Sequence, residues 1–143
     1  MSDLEDFAVQ WLEAFNAHDA DRIGALCADN CVFEAPGDVR LEGRDAVVAY
    51  AMNWLDAFPD ARETVHQRIV QDPRFVNQFT FEGTHDGTLH GPAGEIPATG
   101  RRLVGRGTEV MRVENGLAVE GQLYFDQVQV LTQLGLMPEP STA

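Results

Sequence analysis

The chain has 143 residues, 44% of them hydrophobic, and a formal net charge of −13. Length and hydrophobic content fit one globular domain, residues 1–143, with a single core. The charge argues against nucleic acid and anionic membrane surfaces as partners, because both demand clustered Lys and Arg.

In chain order, Asp3 to Ala17 carries Leu4, Phe7, Trp11, Leu12 and Phe15 at three- and four-residue steps, which predicts an amphipathic helix. Ser2 and Glu5 fit a capping box at its start. Asp19 is placed to cap a short second helix through Ile23, Leu26 and Cys27. Cys31 to Ala35 reads as a short strand, Leu41 to Gly43 as a turn region, and Arg44 to Phe58 as a third helix ended by Pro59. Strands follow at Arg62–Gln71, which alternates only weakly, and at Arg74–His85. In the latter, Phe75, Asn77, Phe79, Phe81, Gly83 and His85 share one face. Asp86 to Gly100 is rich in Gly and Pro and predicts a long loop of the kind that often carries function. Arg101–Glu114 and Gly116–Asp126 form a hairpin around Asn115-Gly116, whose two residues suit the positive φ of a type I′ turn. Gln127 to about 138 reads as a short helix or extension, and 139–143 as a tail. The order of elements, without β-α-β alternation, predicts an α+β fold: helices on one side of a curved, mostly antiparallel sheet.

The hairpin draws attention to a site. A two-residue loop sets Gln122 opposite Glu109 and Asp126 opposite Gly105. On that register Glu120, Gln122, Tyr124 and Asp126 share a face with Met111 and Glu109. Ionised carboxylates are costly to bury in a plain core, so this mixture points to a pocket face. Asp126 beside Tyr124, Phe79, Phe81 and Trp54 would hold its proton more tightly than a free Asp and could act as a general base. The bland alternative is a surface Asp, and a register slip of one residue would favour it. His85, on the Phe79/Phe81 face, could donate to a carbonyl oxygen or be a satisfied structural group. Glu109 and Gln122 could join the acid/base work, whereas Glu120 fits a salt bridge to Arg112 or Arg102.

Other chemistries lack their motifs. His18, His66, His85, His90, Cys27 and Cys31 show no metal-ligand spacing, so no metal is expected. Neither a phosphate-binding glycine loop nor a nucleophile elbow is present. Cys27 and Cys31 read as free thiols of a reducing compartment. The Met-Ser-Asp-Leu-Glu-Asp start lacks the basic region of a signal peptide, and no apolar run approaches the ~18 residues of a membrane span. The expectation is a cytoplasmic protein.

Several segments resemble, in order, one known family. Phe15-Asn-Ala-His-Asp-Ala-Asp21 and Ala25-Leu-Cys-Ala-Asp29 are similar to the opening of the nuclear-transport-factor-2-like superfamily, and Leu41-Glu-Gly-Arg-Asp-Ala46 and Ala57-Phe-Pro-Asp60 to its third-helix region. Gly83-Thr-His85, Pro97-Ala-Thr-Gly100, Arg112-Val-Glu-Asn-Gly116, and Tyr124-Phe-Asp126 with Gln133-Leu-Gly-Leu136 resemble its SnoaL-like polyketide cyclase branch. The resemblance implies a cone: about three N-terminal helices over a strongly curved mixed sheet, enclosing an apolar pocket. It implies an intramolecular aldol cyclisation without cofactor, begun by proton abstraction α to a carbonyl, on a small hydrophobic carbonyl substrate. It maps the base onto Asp126 and a hydrogen-bond donor onto His85. Glu109, Gln122, Tyr124, Phe79, Phe81, Trp54 and Met52 then line the pocket. It also implies a homodimer. The chain departs from the family at Glu120-Gly-Gln122 and at Gly91-Pro-Ala-Gly94. Epoxide or ester hydrolysis, isomerisation, and non-catalytic binding of a small molecule are the alternatives, since fold alone does not fix function.

Overall fold

The computed structural model describes residues 3–92 and 94–138. Ser2 of the expected capping box, Ala93 and the tail from 139 lie outside them. Helix α1 (Asp3–Asn16) carries Asp3, Glu5 and Asp6 in its first turn, where carboxylates favour the helix dipole. Its apolar stripe buries Leu4, Phe7, Ala8 and Ala14. Asp19 caps α2 (Ala20–Ala25) by accepting from the Arg22 N–H. Strand β1 (Cys27–Ala35) begins earlier than the sequence suggested, and β2 (Val39–Glu42) pairs with it antiparallel. Helix α3 spans Arg44–Ala57.

Four long strands complete the main sheet: β3 (Arg62–Gln71), β4 (Arg74–Thr84), β7 (Arg102–Glu114) and β8 (Leu117–Phe125). The expected loop between β4 and β7 contains a small hairpin, β5 (Leu89–Gly91) and β6 (Gly94–Ile96). Helix α4 (Gln127–Gln133) closes the described chain. The sheet order is β2-β1-β8-β7-β4-β3, antiparallel except for the parallel pair β1–β8. The fold is therefore the α+β arrangement of helices on a mixed, mostly antiparallel sheet. Asn115 and Gly116 both have positive φ, 53° and 75°, as the turn requires.

Helices α1 and α3 cover the concave face. Phe7 packs on Phe75, Phe15 meets Phe81 edge-on, and Trp54 meets both Phe81 and Phe125. Fully burying a ring such as Phe75 or Phe58 contributes about 1.5–3 kcal/mol. Glycine makes room on the floor. A Cβ on Gly107 would lie 2.6 Å from the Phe79 ring, and one on Gly121 would lie 2.8 Å from Phe33. Both rings thus lie close against the sheet.

Two bulges decide which side chains face inward. In β3 the partners Val65↔Phe79 and Gln67↔Gln78 leave His66 unmatched. Glu63 and Val65 before the bulge therefore share the inward side with Arg68 and Val70 after it, opposite Phe81, Phe79, Asn77 and Phe75. This explains the weak alternation of that segment. In β8 the partners Val113↔Ala118 and Arg112↔Glu120 leave Val119 unmatched. Beyond it, Glu109 faces Leu123 instead of Gln122.

Candidate functional site

A cavity of about 130 Å³ lies between the concave sheet face and helices α1 and α3. Its walls are mainly apolar, with Trp11, Phe33, Trp54, Phe79 and Phe81 among them. Exposed Glu34, Arg106 and Asp126 mark its mouth, whereas buried Glu63 and Glu109 stand inside. A second cavity of about 490 Å³ lies under the β5–β6 hairpin and shares Tyr50, Trp54, Phe125 and Val130 with the first. Asn53 holds this hairpin to α3. Its Nδ2 donates to the His90 carbonyl at 2.8 Å, and its Oδ1 accepts from the His90 N–H at 2.9 Å.

Glu63 and Glu109 are the chemistry-bearing groups of the inner cavity. Asn16, at the end of α1, grips the backbone of Glu63 on both sides: Nδ2 donates to its carbonyl at 2.9 Å and Oδ1 accepts its N–H at 2.8 Å. His18 Nε2 bonds the carbonyl of Ala61 nearby, at 2.9 Å. The turn after α1 thereby fixes the start of β3 and the position of Glu63. Glu109 comes from the middle of β7, opposite Asn77 of β4. The Trp11 indole N–H donates to Glu109 Oε1 at 3.0 Å. Arg68 Nε donates to Asn77 Oδ1 at 2.7 Å, so the Asn77 amide turns its NH₂ edge away from Arg68.

Burial sets the electrostatics. Desolvation pushes Glu109 up to about 7, against the favourable influence of Asn77, Trp11 and Arg68 on its charged form. Glu63 lies well above the ordinary carboxylate range, through desolvation first and then the charge of Glu109. Donors and a cation favour the charged form of Glu109, whereas the charge of Glu109 disfavours that of Glu63. Environments that differ in this way suit one group to take a proton and the other to donate a hydrogen bond.

The expected site residues fall into two groups. Glu109, Phe79, Phe81, Trp54, Gln122 and Asp126 all border the cavity. Met52, Tyr124 and His85 do not. The bulge at Val119 corrects the expected face. Tyr124 is 59% exposed, and Glu120 pairs with Arg112 on the same outward phase, at 2.8 Å. Met52 packs against the apolar cluster between α3 and the sheet.

Asp126 is exposed, and its Oδ1 accepts the N–H groups of Val128 and Gln129 at 2.9 and 3.1 Å. It is the N-cap of α4 and stands at the rim, not in the desolvated interior that the base role was argued to need. Asp126→Ala is expected to cost about 1 kcal/mol of stability in urea unfolding.

His85 is fully buried and stacks on Phe58 with ring centroids 5.1 Å apart. Its Nδ1 accepts the Thr99 N–H at 3.2 Å and lies 2.9 Å from the Thr99 hydroxyl, which leaves the proton on Nε2. Burial holds its imidazolium below the ordinary histidine value. Its backbone bonds to Arg101 and Gly100 complete a clamp at the base of the β5–β6 excursion.

Glu63, Trp11, Asn77 and Arg68 did not stand out in the sequence as site residues. Glu63 could have been found by its phase: it alternates with Val65, opposite the Phe79/Phe81 face. Cys27 and Cys31 are free and fully buried, and burial pushes the Cys27 thiol up to about 12. Among the described residues, no three His, Cys, Asp or Glu side chains converge to hold a metal ion, and no helix is long and apolar enough to cross a membrane.

The SnoaL-like polyketide cyclase family model matches residues 6–134, and the chain belongs to that family. Among solved structures it is similar to AclR, a proposed hydroxylase from Streptomyces galilaeus, at 23% identity and a TM-score of 0.84, over 99% of this chain and 87% of that one. A proposed SnoaL-like polyketide cyclase from Jannaschia sp. CCS1 matches at 16% identity and a TM-score of 0.84, over 95% and 94% of the two chains. IdmH, a proposed polyketide cyclase from Streptomyces antibioticus, matches at 26% identity and a TM-score of 0.76, over 92% and 97%. The fold is also similar to that of proteins described as NTF2-like. No functionally curated protein matches the chain in sequence.

Proposed function

We propose that the protein catalyses enolisation and intramolecular aldol ring closure of a hydrophobic carbonyl compound, with Glu109 as general base and protonated Glu63 as hydrogen-bond donor. The observation that carries this reading is the pair of buried carboxyls in an otherwise mainly apolar cavity, both raised by desolvation. A base is most effective when its pKa lies near the working pH.

Ionised Glu109 takes a proton from the carbon α to a carbonyl, and the C–H electron pair becomes the enolate. The Glu63 O–H donates to the developing enolate oxygen, where a preorganised donor in a dry site is worth most. The enolate carbon then bonds to a second carbonyl of the same molecule. The resulting alkoxide takes the proton back from Glu109, which restores the starting state without a redox step.

Size and lining define the substrate class. An apolar cavity of ~150 Å³ accommodates a benzene-sized ring. The inner cavity is close to that size, and the second extends it past Tyr50, Trp54, Phe125 and Val130. A mainly apolar molecule fits, with its enolisable ring inside and the remainder under the β5–β6 hairpin. Family membership and the likeness to proposed cyclases support the same class.

A tetralone, a bicyclic aromatic ketone, tests the first step. In deuterium oxide the protein is expected to accelerate loss of its α-proton NMR signals, more strongly at pH 8 than at pH 5. Saturable tetralone binding with no acceleration over buffer would replace this reading with a non-catalytic binding module.

A further inference from the structure

We propose that Asn77 is a positioning residue for the charged form of Glu109, its amide N–H held ready by Arg68 to receive the carboxylate once that group has lost its proton. The inference rests on the reading of Glu109 as the base, and four observations on geometry lead to it. The β4–β7 register sets Asn77 directly opposite Glu109, so both side chains leave the sheet on the same face. Asn77 is 1% exposed, so water does not serve its polar atoms. Its Oδ1 is engaged by Arg68 Nε at 2.7 Å, which fixes the edge that the NH₂ group presents. Finally, Asn77 Nδ2 makes no hydrogen bond among the described residues, although it lies close enough to Glu109 to favour that group's ionisation.

A buried donor without a partner is unfavourable, and native structures keep few of them. A second protonation state resolves the anomaly. A protonated carboxyl needs few acceptor contacts, and Trp11 already supplies one donor to Oε1. After deprotonation the carboxylate has vacant acceptor sites, and Asn77 Nδ2 is the unpaired donor across the strand pair. The charged and titratable groups around Glu109 are Glu63 and Arg68, both from β3. From helix α1 the neutral Trp11 indole reaches Glu109, and β8 places apolar Leu123 opposite. Arg68 supports the charge, in part through the Asn77 amide. Asn77 is not a wall of the cavity, so it acts through Glu109 and not on the substrate.

Carboxyl-carbon NMR of the Glu109 side chain tests this without a substrate. A hydrogen bond to a charged group corresponds to about one to two pH units in the midpoint. Asn77→Leu is therefore expected to raise the Glu109 midpoint by about that much. The acid limb of the kcat profile should move upward with it, and KM should change little. Arg68→Met removes a cation as well as the bond that orients the amide, so it raises the midpoint whatever Asn77 does. Asn77→Ala, expected to raise the midpoint like Asn77→Leu, serves if Asn77→Leu fails to fold. An unmoved Glu109 midpoint in a folded variant would overturn the proposal and leave Asn77 a packing residue. The underlying reading fails separately: if Glu109→Gln retained full α-proton exchange, the base would lie elsewhere, whatever the Asn77 variants did to the midpoint.

Discussion

Glu109→Gln is expected to lower kcat/KM for α-proton exchange by about 10²–10⁴-fold, the usual contribution of a positioned general base. The substitution preserves shape and the acceptor for the Trp11 indole N–H. It removes only the ability to take a proton, so the loss should appear in kcat and not in KM. Asp126→Asn should leave kcat near the wild-type value, because Asp126 is an exposed helix cap. The two carboxylates thus separate in one experiment. Glu63→Leu removes the donor to the enolate oxygen and is expected to cost about 10²–10³-fold, as for a lost oxyanion donor. The kcat profile of the wild type should be bell-shaped. Activity rises as Glu109 ionises around pH 7 and falls at higher pH as Glu63 loses its proton.

The same pair should make the fold less stable as pH rises, opposite to the usual behaviour of surface carboxylates. The unfolded chain releases the Glu109 proton near the ordinary 4.5 and the folded chain near 7. Between these values the folded state binds more protons, so its stability falls with rising pH. The contribution is complete below about pH 4.5, and most is lost by pH 7; Glu109 alone accounts for roughly 3 kcal/mol. Glu63, also raised, contributes a decline of the same sign. His85 works in the opposite sense, since its lowered value adds stability as pH rises through the ordinary histidine range. A difference measurement removes it. Urea unfolding of the wild type and of Glu63→Gln/Glu109→Gln from pH 4.5 to 8 should show the double variant gaining several kcal/mol on the wild type as pH increases. A gap that did not change with pH would mean that neither carboxyl is desolvated in the folded state.

The contrast between strands shows what the sequence could reveal. Strand β4 has no bulge, and its alternation placed Phe75, Asn77, Phe79 and Phe81 correctly on the inward face. The Asn115-Gly116 turn was legible because few residue pairs tolerate positive φ at both positions. The neighbouring strands each carry one extra residue, His66 in β3 and Val119 in β8. A single extra residue exchanges the two faces beyond it. Neither bulge is marked by Gly or Pro, so period-two reasoning carried Tyr124 inward and overlooked Arg68. Glu109 was legible as a member of the site because β7 was read in the right phase; its partner Glu63 was not, because the bulge at His66 blurs the alternation it shares with Val65. His85, just past the end of β4, was rightly read as an inward group, but its contact with Thr99 depends on the return path of the β5–β6 excursion, which no local pattern encodes.

The central claim is that two carboxyls inside this cavity hold their protons far more tightly than free glutamates. Carboxyl-carbon NMR titration of the wild type tests it most directly, with Glu63→Gln and Glu109→Gln to assign the two signals. The account predicts a Glu109 midpoint of about 7 and a Glu63 midpoint well above the ordinary glutamate value, the Glu63 midpoint moving down when Glu109 is replaced. Two independent midpoints near the ~4.3 of a free glutamate would contradict it.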